Sequence, residues 1–361
     1  MRVMQLTTDF RFGGAERVVV NLARGLRQRG VDCAVAGLFA GGDARGWTRV
    51  VLEQDGFEIF CARMERRYAV WRMAGLQRFV RQWRPDVLHC HLFHGHAAGL
   101  VLKLLGLRCP MVWTHHAIYR GAVPLRNGFY RLFPRAARCH VFPSEATQRY
   151  QNAHGVRPPS GGWEQVIPNG IELAPYLALR PAAGPVFGSV GRLVPEKGFD
   201  VLLHAFARLC REDAGVRLRI GGDGRARGSL EALARAEGVG QRAEFVGFVE
   251  RVPEFLAGVN VFVFPSRWES FGIALVEAMA AGLPCIATRV GGMPEVGGDL
   301  VRWVEPEDVE GLYRAMRELR GALSPERIAR QREAAGRFSA EAMVESYLEV
   351  YQAVLAPVRE G

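Results

Sequence analysis

A chain of 361 residues that is 49% hydrophobic and 23% charged can bury ordinary cores, and its length favours two domains over a disordered chain. The opening stretch MRVMQLTTDF lacks the apolar run of a secretory leader, and the most apolar predicted helix is interrupted by Glu277, so a cytosolic location is expected and a membrane span is not. The seven cysteines, Cys33, Cys61, Cys90, Cys109, Cys139, Cys210 and Cys285, form no C-x-x-C pair, which suits a reducing compartment and argues against a disulfide framework.

The formal net charge of +10 is unevenly placed. Residues 1–172 carry 24 Lys and Arg against 12 Asp and Glu, while residues 173–361 carry 23 against 25. A basic half beside a near-neutral half implies a surface that meets anions, whether nucleic acid, phospholipid headgroups or phosphorylated substrates. An arginine-rich composition would give the same count without such a surface.

The first predicted strand covers residues 1–8 and runs into the loop DFRFGGAE, followed by a helix carrying Val18, Val19, Val20, Leu22, Ala23 and Leu26. Gly13 and Gly14 allow close backbone approach to a ligand at the strand's carboxyl end, although a glycine pair also serves as a plain helix-entry turn and no G-x-G-x-x-G is present. Strands at 33–39, 57–60 and 87–91 with a helix at 71–83 give βα winding and a parallel sheet. The run HCHLFHGH gathers His89, His91, His94 and His96 and raises the question of a metal. No carboxylate or H-E-x-x-H pattern follows, so no metal is expected and His91 reads as lining the strand end. A strand at 111–114 ends in THHAI, where His115 or His116 is placed for proton transfer or for hydrogen bonding a hydroxyl. After a basic helical region at 125–138 and a strand at 139–142, Ser144 in PSEA caps another helix. A loop at 155–163, a short strand at 166–167 and the turn signal Asn169-Gly170 close the first domain.

The winding restarts with a strand at 186–190. The loop GRLVPEKGFD carries Arg192 and Lys197 beyond that strand's end, able to clamp a diphosphate and neutralise a leaving nucleotide without a metal. A strand at 216–220 leads to GGDGR, where Gly222 lies in a tight turn that lets backbone meet ligand and Asp223 reads as structural. Residues 245–247 form the next strand end. The apolar run 259–264 then stops at Pro265-Ser266, Ser270 reads as an N-cap, and a helix opens near Phe271 whose free N–H groups at Phe271 and Gly272 attract an anion. Glu269 precedes that helix and Glu277 sits on it among Ile273, Ala274, Leu275, Val276, Ala278, Met279 and Ala280. A glutamate in such company is costly unless paired, and eight residues of helix span roughly 12 Å, enough for two ends of an extended ligand. The plain alternative is a solvated Glu277 and a Glu269 that aids capping. A strand at 285–287, the segment GGMPE with Gly291, Gly292 and Glu295, two charged helices and an amphipathic helix at 340–355 complete the chain.

The stretch ESFGIALVEAMAAGLP, with Glu269 and Glu277 as E-x7-E, resembles the signature of the retaining glycosyltransferases of family 4. GGAE, T-x-H at Thr114 and His116, the Asn169-Gly170 segment, GRLVPEKG, GGDGR and GGMPE resemble further segments of that family, so the likeness covers nearly the whole chain and is strongest over residues 186–296. It implies an α/β fold of GT-B architecture, two Rossmann-like parallel-sheet domains facing across a cleft. Residues 1–172, joined by a C-terminal helix at 340–361, would bind the acceptor, and residues 173–339 the nucleotide sugar. By position it implies Glu269 for the donor sugar near the reacting carbon, and Ser270 and the amides of Phe271 and Gly272 for the diphosphate. It likewise implies Glu277 for the ribose, Arg192, Lys197 and Gly222 for the donor, and His116 near the transferred sugar. Gly13, Gly14, His91, Ser144 and Asn169 would line the cleft. The implied donor is a UDP- or GDP-sugar, the implied acceptor a glycan or lipid-linked intermediate of the cell envelope, and no cofactor or metal is implied.

Three other readings stand beside this one. A nucleotide-sugar epimerase of the same fold would turn over donor without acceptor, and a glycosyltransferase could act on a soluble acceptor. Nucleic acid would explain the basic half, but no interleaved aromatic and basic pattern occurs, so it is not expected as a partner. An anionic membrane surface is the expected partner of that half, with the protein peripheral on the inner face of the membrane. Its expected contacts are Arg63, Arg66, Arg67, Arg120, Arg126, Arg131, Arg135 and Arg138, with Tyr119, Phe129, Tyr130, Leu132 and Phe133 as an amphipathic face.

Overall fold

Strands buried on both faces are written as short apolar runs, and such runs set this architecture. The computed structural model describes residues 1–39, 46–64, 72–118, 124–133, 135–156, 162–180 and 184–357. The chain divides into two compact units, one of Met1–Gly170 with Ala340–Gly361 and one of Ile171–Ser339. The first boundary falls just before residue 172 because Ile171 already bridges to Ser339 and its amide donates to the Phe338 carbonyl at 3.0 Å.

In the first unit the strands are β1 (Arg2–Thr7), β2 (Asp32–Gly37), β3 (Glu58–Cys61), β4 (Val87–His91), β5 (Met111–Thr114), β6 (Cys139–Phe142) and β7 (Trp163–Val166). They form a parallel sheet in the order β3-β2-β1-β4-β5-β6-β7. β1, β4, β5 and β6 are buried almost throughout, and they carry Met4, Leu6, Leu88, Trp113 and Phe142 into the core. The order reverses between β1 and β4, so the ligand crevice of this unit is expected at their carboxyl ends. Helix Ala340–Leu355 belongs to this unit and buries Met343, Val344, Tyr347, Val350, Tyr351 and Val354.

The second unit holds β8 (Val186–Val190), β9 (Arg217–Gly221), β10 (Ala243–Gly247), β11 (Val261–Phe264), β12 (Cys285–Thr288) and β13 (Val301–Val304). These strands are also parallel, in the order β10-β9-β8-β11-β12-β13, with the reversal between β8 and β11. β13, VRWV, escapes a sequence reading because it is a short edge strand that leaves Arg302 exposed and Trp303 half-buried. The helix after β11 spans Ile273–Ala280, later than expected, and its N-cap is Gly272 at φ 99°, not Ser270. A left-handed residue at that position lets the chain enter the helix directly, and the Ser270 side chain is left outside it.

Part of the basic region of the first unit, expected to face a membrane, is taken up by the core instead. Arg126 is buried, Tyr130 lies in the core with its hydroxyl 2.8 Å from His96 Nδ1, and Phe129 stacks on Trp113. Arg138 donates to the carbonyls of Val354 and Ala356 at 3.0 and 3.2 Å, where it satisfies the C-terminal end of the last helix. Leu125, Leu132 and Phe133 are exposed beside the exposed Arg131 and Arg135, and Arg63 is exposed elsewhere. Arg66, Arg67, Tyr119 and Arg120 lie outside the described residues. Among the described residues no helix is long and apolar enough to cross a membrane.

Candidate active site

At the reversal between β8 and β11 the loops that leave those two strands are tied together. Arg267, just after β11, donates to both carboxylate oxygens of Asp200 at 2.9 and 2.8 Å, to Glu307, and to the Pro195 carbonyl, while its amide donates to Glu196 O at 2.9 Å. Burial alone would raise the Asp200 pKa, but the Arg267 guanidinium outweighs it and holds the carboxyl below its usual range. This bracing fixes the loop carrying Lys197 against the loop carrying Glu269. Lys197 Nζ donates to Glu269 Oε2 and lies 5.0 Å from the centre of the Phe264 ring. Both side chains are largely buried, and Glu269 Oε1 accepts from the Ser270 amide at 3.2 Å. The two residues read from separate motifs thus meet at the topological switch point, where an ion pair out of bulk water can exchange partners with an anionic ligand.

Backbone approach explains two glycines here. Gly222 has φ 131°, and a Cβ built on it would come within 1.9 Å of the Gly191 carbonyl oxygen. Gly291 has φ 52°, and its Cβ would fall 1.7 Å from the Glu269 carbonyl oxygen. Neither position accepts a side chain without moving the neighbouring loop, that of Gly191 or of Glu269. Arg192 is exposed on the loop after β8. Phe271 is buried edge-on to Phe338, 5.5 Å between ring centres, so only its backbone can serve a ligand. Gly272 starts the helix whose first N–H groups have no acceptor within the helix, and its positive end favours an anion.

Glu277 is buried on that helix and accepts from the Tyr176 hydroxyl. The solvated alternative for this glutamate is therefore set aside. The sequence gives no sign of Tyr176, which sits alone on the short helix Ala174–Leu177 with no periodicity to mark it.

In the first unit the segments after β1, β4, β5, β6 and β7 carry the other candidates. Gly13 is the N-cap of helix Gly14–Gln28 in an extended conformation open to any residue, so conformational need alone does not explain it. His91 ends β4 and caps helix Leu92–Leu104; its Nδ1 lies 2.8 Å from His116 Nε2 and its Nε2 lies 2.7 Å from Gln5 Oε1. His116 follows β5 and is buried, which pushes its pKa down to about 3, so it is neutral at physiological pH. Ser144 caps helix Glu145–Ala153 as expected, its Oγ accepting from the Thr147 amide at 3.1 Å. Asn169 is buried in the segment after β7. His89, His91 and His96 have their ring nitrogens engaged by Tyr351, Thr114, Gln5, His116 and Tyr130 and by the Thr114 carbonyl. Burial holds all three well below their ordinary pKa, and among the described residues no group of three metal-ligating side chains assembles.

The chain matches two family models in succession, Glycosyltransferase Family 4 over residues 12–174 and Glycosyl transferases group 1 over residues 179–335. It is 31% identical to the lipopolysaccharide core biosynthesis glycosyltransferase LpsE of Rhizobium meliloti, over 95% of this chain and 98% of that one. It is 34% identical to a D-inositol 3-phosphate glycosyltransferase of Segniliparus rotundus, over 77% of this chain and 69% of that one. Among solved structures, Anabaena Alr3699/HepE in complex with UDP and glucose superposes with a TM-score of 0.83 at 20% identity, covering 98% of this chain and all of the other. That likeness shows the fold, two Rossmann-like parallel-sheet domains of GT-B type. With both family models and a relative matched along nearly its whole length, the chain belongs to the family 4, group 1 glycosyltransferases.

Proposed function

We propose that this glycosyltransferase moves a sugar from a nucleoside diphosphate donor, a UDP- or GDP-sugar, to an acceptor hydroxyl with retention of anomeric configuration and without a metal. The observation that carries this reading is the Lys197–Glu269 pair at the β8/β11 reversal, with buried Glu277 on the helix Ile273–Ala280 that follows Glu269. A diphosphate arriving there would draw Lys197 away from Glu269 and meet Arg192, Lys197 and the N-terminal end of helix Ile273–Ala280. Glu269, released from Lys197, would then accept from a hydroxyl of the donor sugar. Glu277, already desolvated and oriented by Tyr176, can accept from two ribose hydroxyls. His116, on the loop after β5, is read as a hydrogen-bonding contact of a sugar hydroxyl.

The acceptor read from this arrangement is a lipid-linked or envelope glycan intermediate, reached by a cytoplasmic protein docked on an anionic membrane. Support comes from the excess of basic residues in the first unit and from Leu125, Leu132 and Phe133 exposed beside Arg131 and Arg135, together with the lipopolysaccharide core role named for the Rhizobium relative.

The test is a panel of UDP- and GDP-sugars incubated with the full chain and candidate acceptors in EDTA, with product configuration read by proton NMR. Transfer with the anomeric configuration kept is expected. An inverted linkage, loss of turnover in the chelator, or donor conversion without any acceptor would overturn the reading, the last in favour of an epimerase. Co-sedimentation should occur with anionic vesicles and weaken as salt rises; equal partitioning to neutral vesicles, or none to either, would favour a soluble acceptor.

A further inference from the structure

Behind His116 runs a chain of buried polar side chains that ends on the C-terminal helix. His116 Nε2 lies 2.8 Å from His91 Nδ1, His91 Nε2 lies 2.7 Å from Gln5 Oε1, and Gln5 Nε2 lies 3.4 Å from the Tyr351 hydroxyl. That hydroxyl is 2.7 Å from His89 Nδ1, His89 Nε2 is 2.7 Å from Thr114 Oγ1, and Thr114 Oγ1 is 3.0 Å from the Tyr347 hydroxyl. All seven side chains are buried.

A neutral imidazole carries one N–H and one lone pair, so each contact with a neighbour of known polarity fixes the whole ring. Gln5 supplies that polarity. Its carbonyl oxygen faces His91, and its NH2 faces the Tyr351 oxygen and also reaches the Cys33 thiol. An NH2 with two hydrogens is better matched by those two neighbours than by the single ring nitrogen of His91. With Gln5 so oriented, His91 must donate from Nε2 and accept at Nδ1, and His116 must donate from Nε2. Nδ1 of His116 is then its acceptor nitrogen. On the other side, Tyr351 accepts from Gln5 and donates to His89 Nδ1, His89 donates from Nε2 to Thr114, and Thr114 donates to Tyr347. Turning the Gln5 amide over would reverse every bond in the chain, so the network has two self-consistent polarities, and the orientation of the Gln5 amide, whose NH2 faces both Tyr351 and Cys33, chooses between them.

We propose that Tyr351, acting through Gln5 and His91, is a positioning residue that fixes His116 as its Nε2–H tautomer and so presents Nδ1 as a hydrogen-bond acceptor. This rests on the reading of His116 as a sugar contact only for its consequence. An acceptor nitrogen would take the hydrogen of a sugar hydroxyl, whereas the reversed network would offer that hydroxyl an N–H. Burial reinforces the point by keeping the ring from gaining a second proton near neutrality.

The tautomer is read directly from long-range proton–nitrogen correlation spectra of the full chain labelled at its nine histidines, because protonated and bare ring nitrogens resonate far apart; His116→Gln identifies the signal. In the wild type, His116, His91 and His89 should each carry the hydrogen on Nε2. Tyr351→Phe removes the hydroxyl that orients Gln5, and His116 should split between two tautomers or change over, with the thermal transition still cooperative. Gln5→Leu should do the same, while Gln5→Glu, whose carboxylate can only accept from His91, should keep the Nε2–H form. A wild-type His116 protonated on Nδ1, or a His116 unchanged in both Tyr351→Phe and Gln5→Leu, would overturn the proposal. None of these readings depends on turnover. If UDP-glucose or GDP-mannose transfer is also measurable, Tyr351→Phe should lose roughly tenfold in kcat/KM and Gln5→Glu should retain more than Gln5→Leu. A tautomer that shifts as stated while no nucleotide sugar is used would leave this inference standing and sink the functional reading instead.

Discussion

The two units use polar residues in opposite ways. Eight of the nine histidines fall in the first unit, where six of them are buried and three, with Gln5, Thr114 and two tyrosines, are joined through neutral hydrogen bonds. The second unit instead concentrates paired charge at its sheet reversal, in Lys197 with Glu269 and Arg267 with Asp200 and Glu307. A neutral network can orient an uncharged sugar without drawing counter-ions, and a set of exchangeable ion pairs can receive a diphosphate without leaving a charge unpaired. On the proposed function, charge handling would fall to the second unit and hydroxyl recognition to the first.

The sharpest break in that contrast is removal of charge from the second unit. Lys197→Ala should lower kcat by about 10²–10³, the scale for deleting one electrostatic donor in an active site, and Arg192→Ala should act in the same direction. Both should keep the wild-type thermal transition to within a few degrees. Steady-state kinetics beside calorimetry checks this, and normal turnover in either variant would remove the diphosphate role. Gly291→Ala comes next. A methyl group there meets the Glu269 carbonyl in a left-handed backbone, so the variant should lose about 3 kcal/mol of stability by denaturant titration. An unchanged midpoint would mean that the loop is not held as described.

Acid should separate the units without mutation. The folded His116 pKa of about 3 lies below the ordinary 6.5, so between those values the unfolded chain binds more protons than the folded one. The corresponding stability is fully present above about pH 6.5 and is lost as pH falls towards 3. From His116 alone that is about 2 kcal/mol by pH 5, and the lowered values of His89, His91, His96 and His115 act in the same direction. Asp200, by contrast, loses its contribution only below the ordinary carboxylate range. Hydrogen exchange at pH 7 and pH 5 should therefore show β4 and β5 losing protection while β8 and β11 keep theirs. Equal loss in both would erase the contrast. The smallest effect belongs to Glu277→Gln, which keeps the shape and would weaken the proposed ribose contact, one present in ground and transition states alike. Donor KM should rise about tenfold with kcat within a few-fold, and a kcat loss at constant KM would give Glu277 a chemical role.

Much of this is legible in the amino-acid sequence. β4, β5, β6 and β8 end where their apolar runs end, and GRLVPEKG and E-x7-E mark the loops that meet at the second unit's reversal. What stayed hidden depends on tertiary partners. Phe129, Tyr130 and Arg126 look like a membrane face in a one-dimensional reading because a basic amphipathic helix has the same pattern whether its apolar side meets lipid or Trp113 and His96. Ser270 looks like a cap because nothing local shows that Gly272 will adopt φ 99°. Tyr347 and Tyr351 lie four residues apart on one helix face, a spacing that marks burial but cannot name the histidine they meet. Tyr176 reaches Glu277 from a segment with no periodicity at all.

Calorimetric titration of UDP and of GDP in EDTA into the wild type, Lys197→Ala and His116→Gln tests the division of labour most directly. One nucleotide should bind the wild type, weaken at least tenfold in Lys197→Ala, and bind His116→Gln with unchanged affinity, because the proposed function places the diphosphate on the second unit. Binding of neither nucleotide, or equal affinity in the wild type and Lys197→Ala, would contradict the assignment.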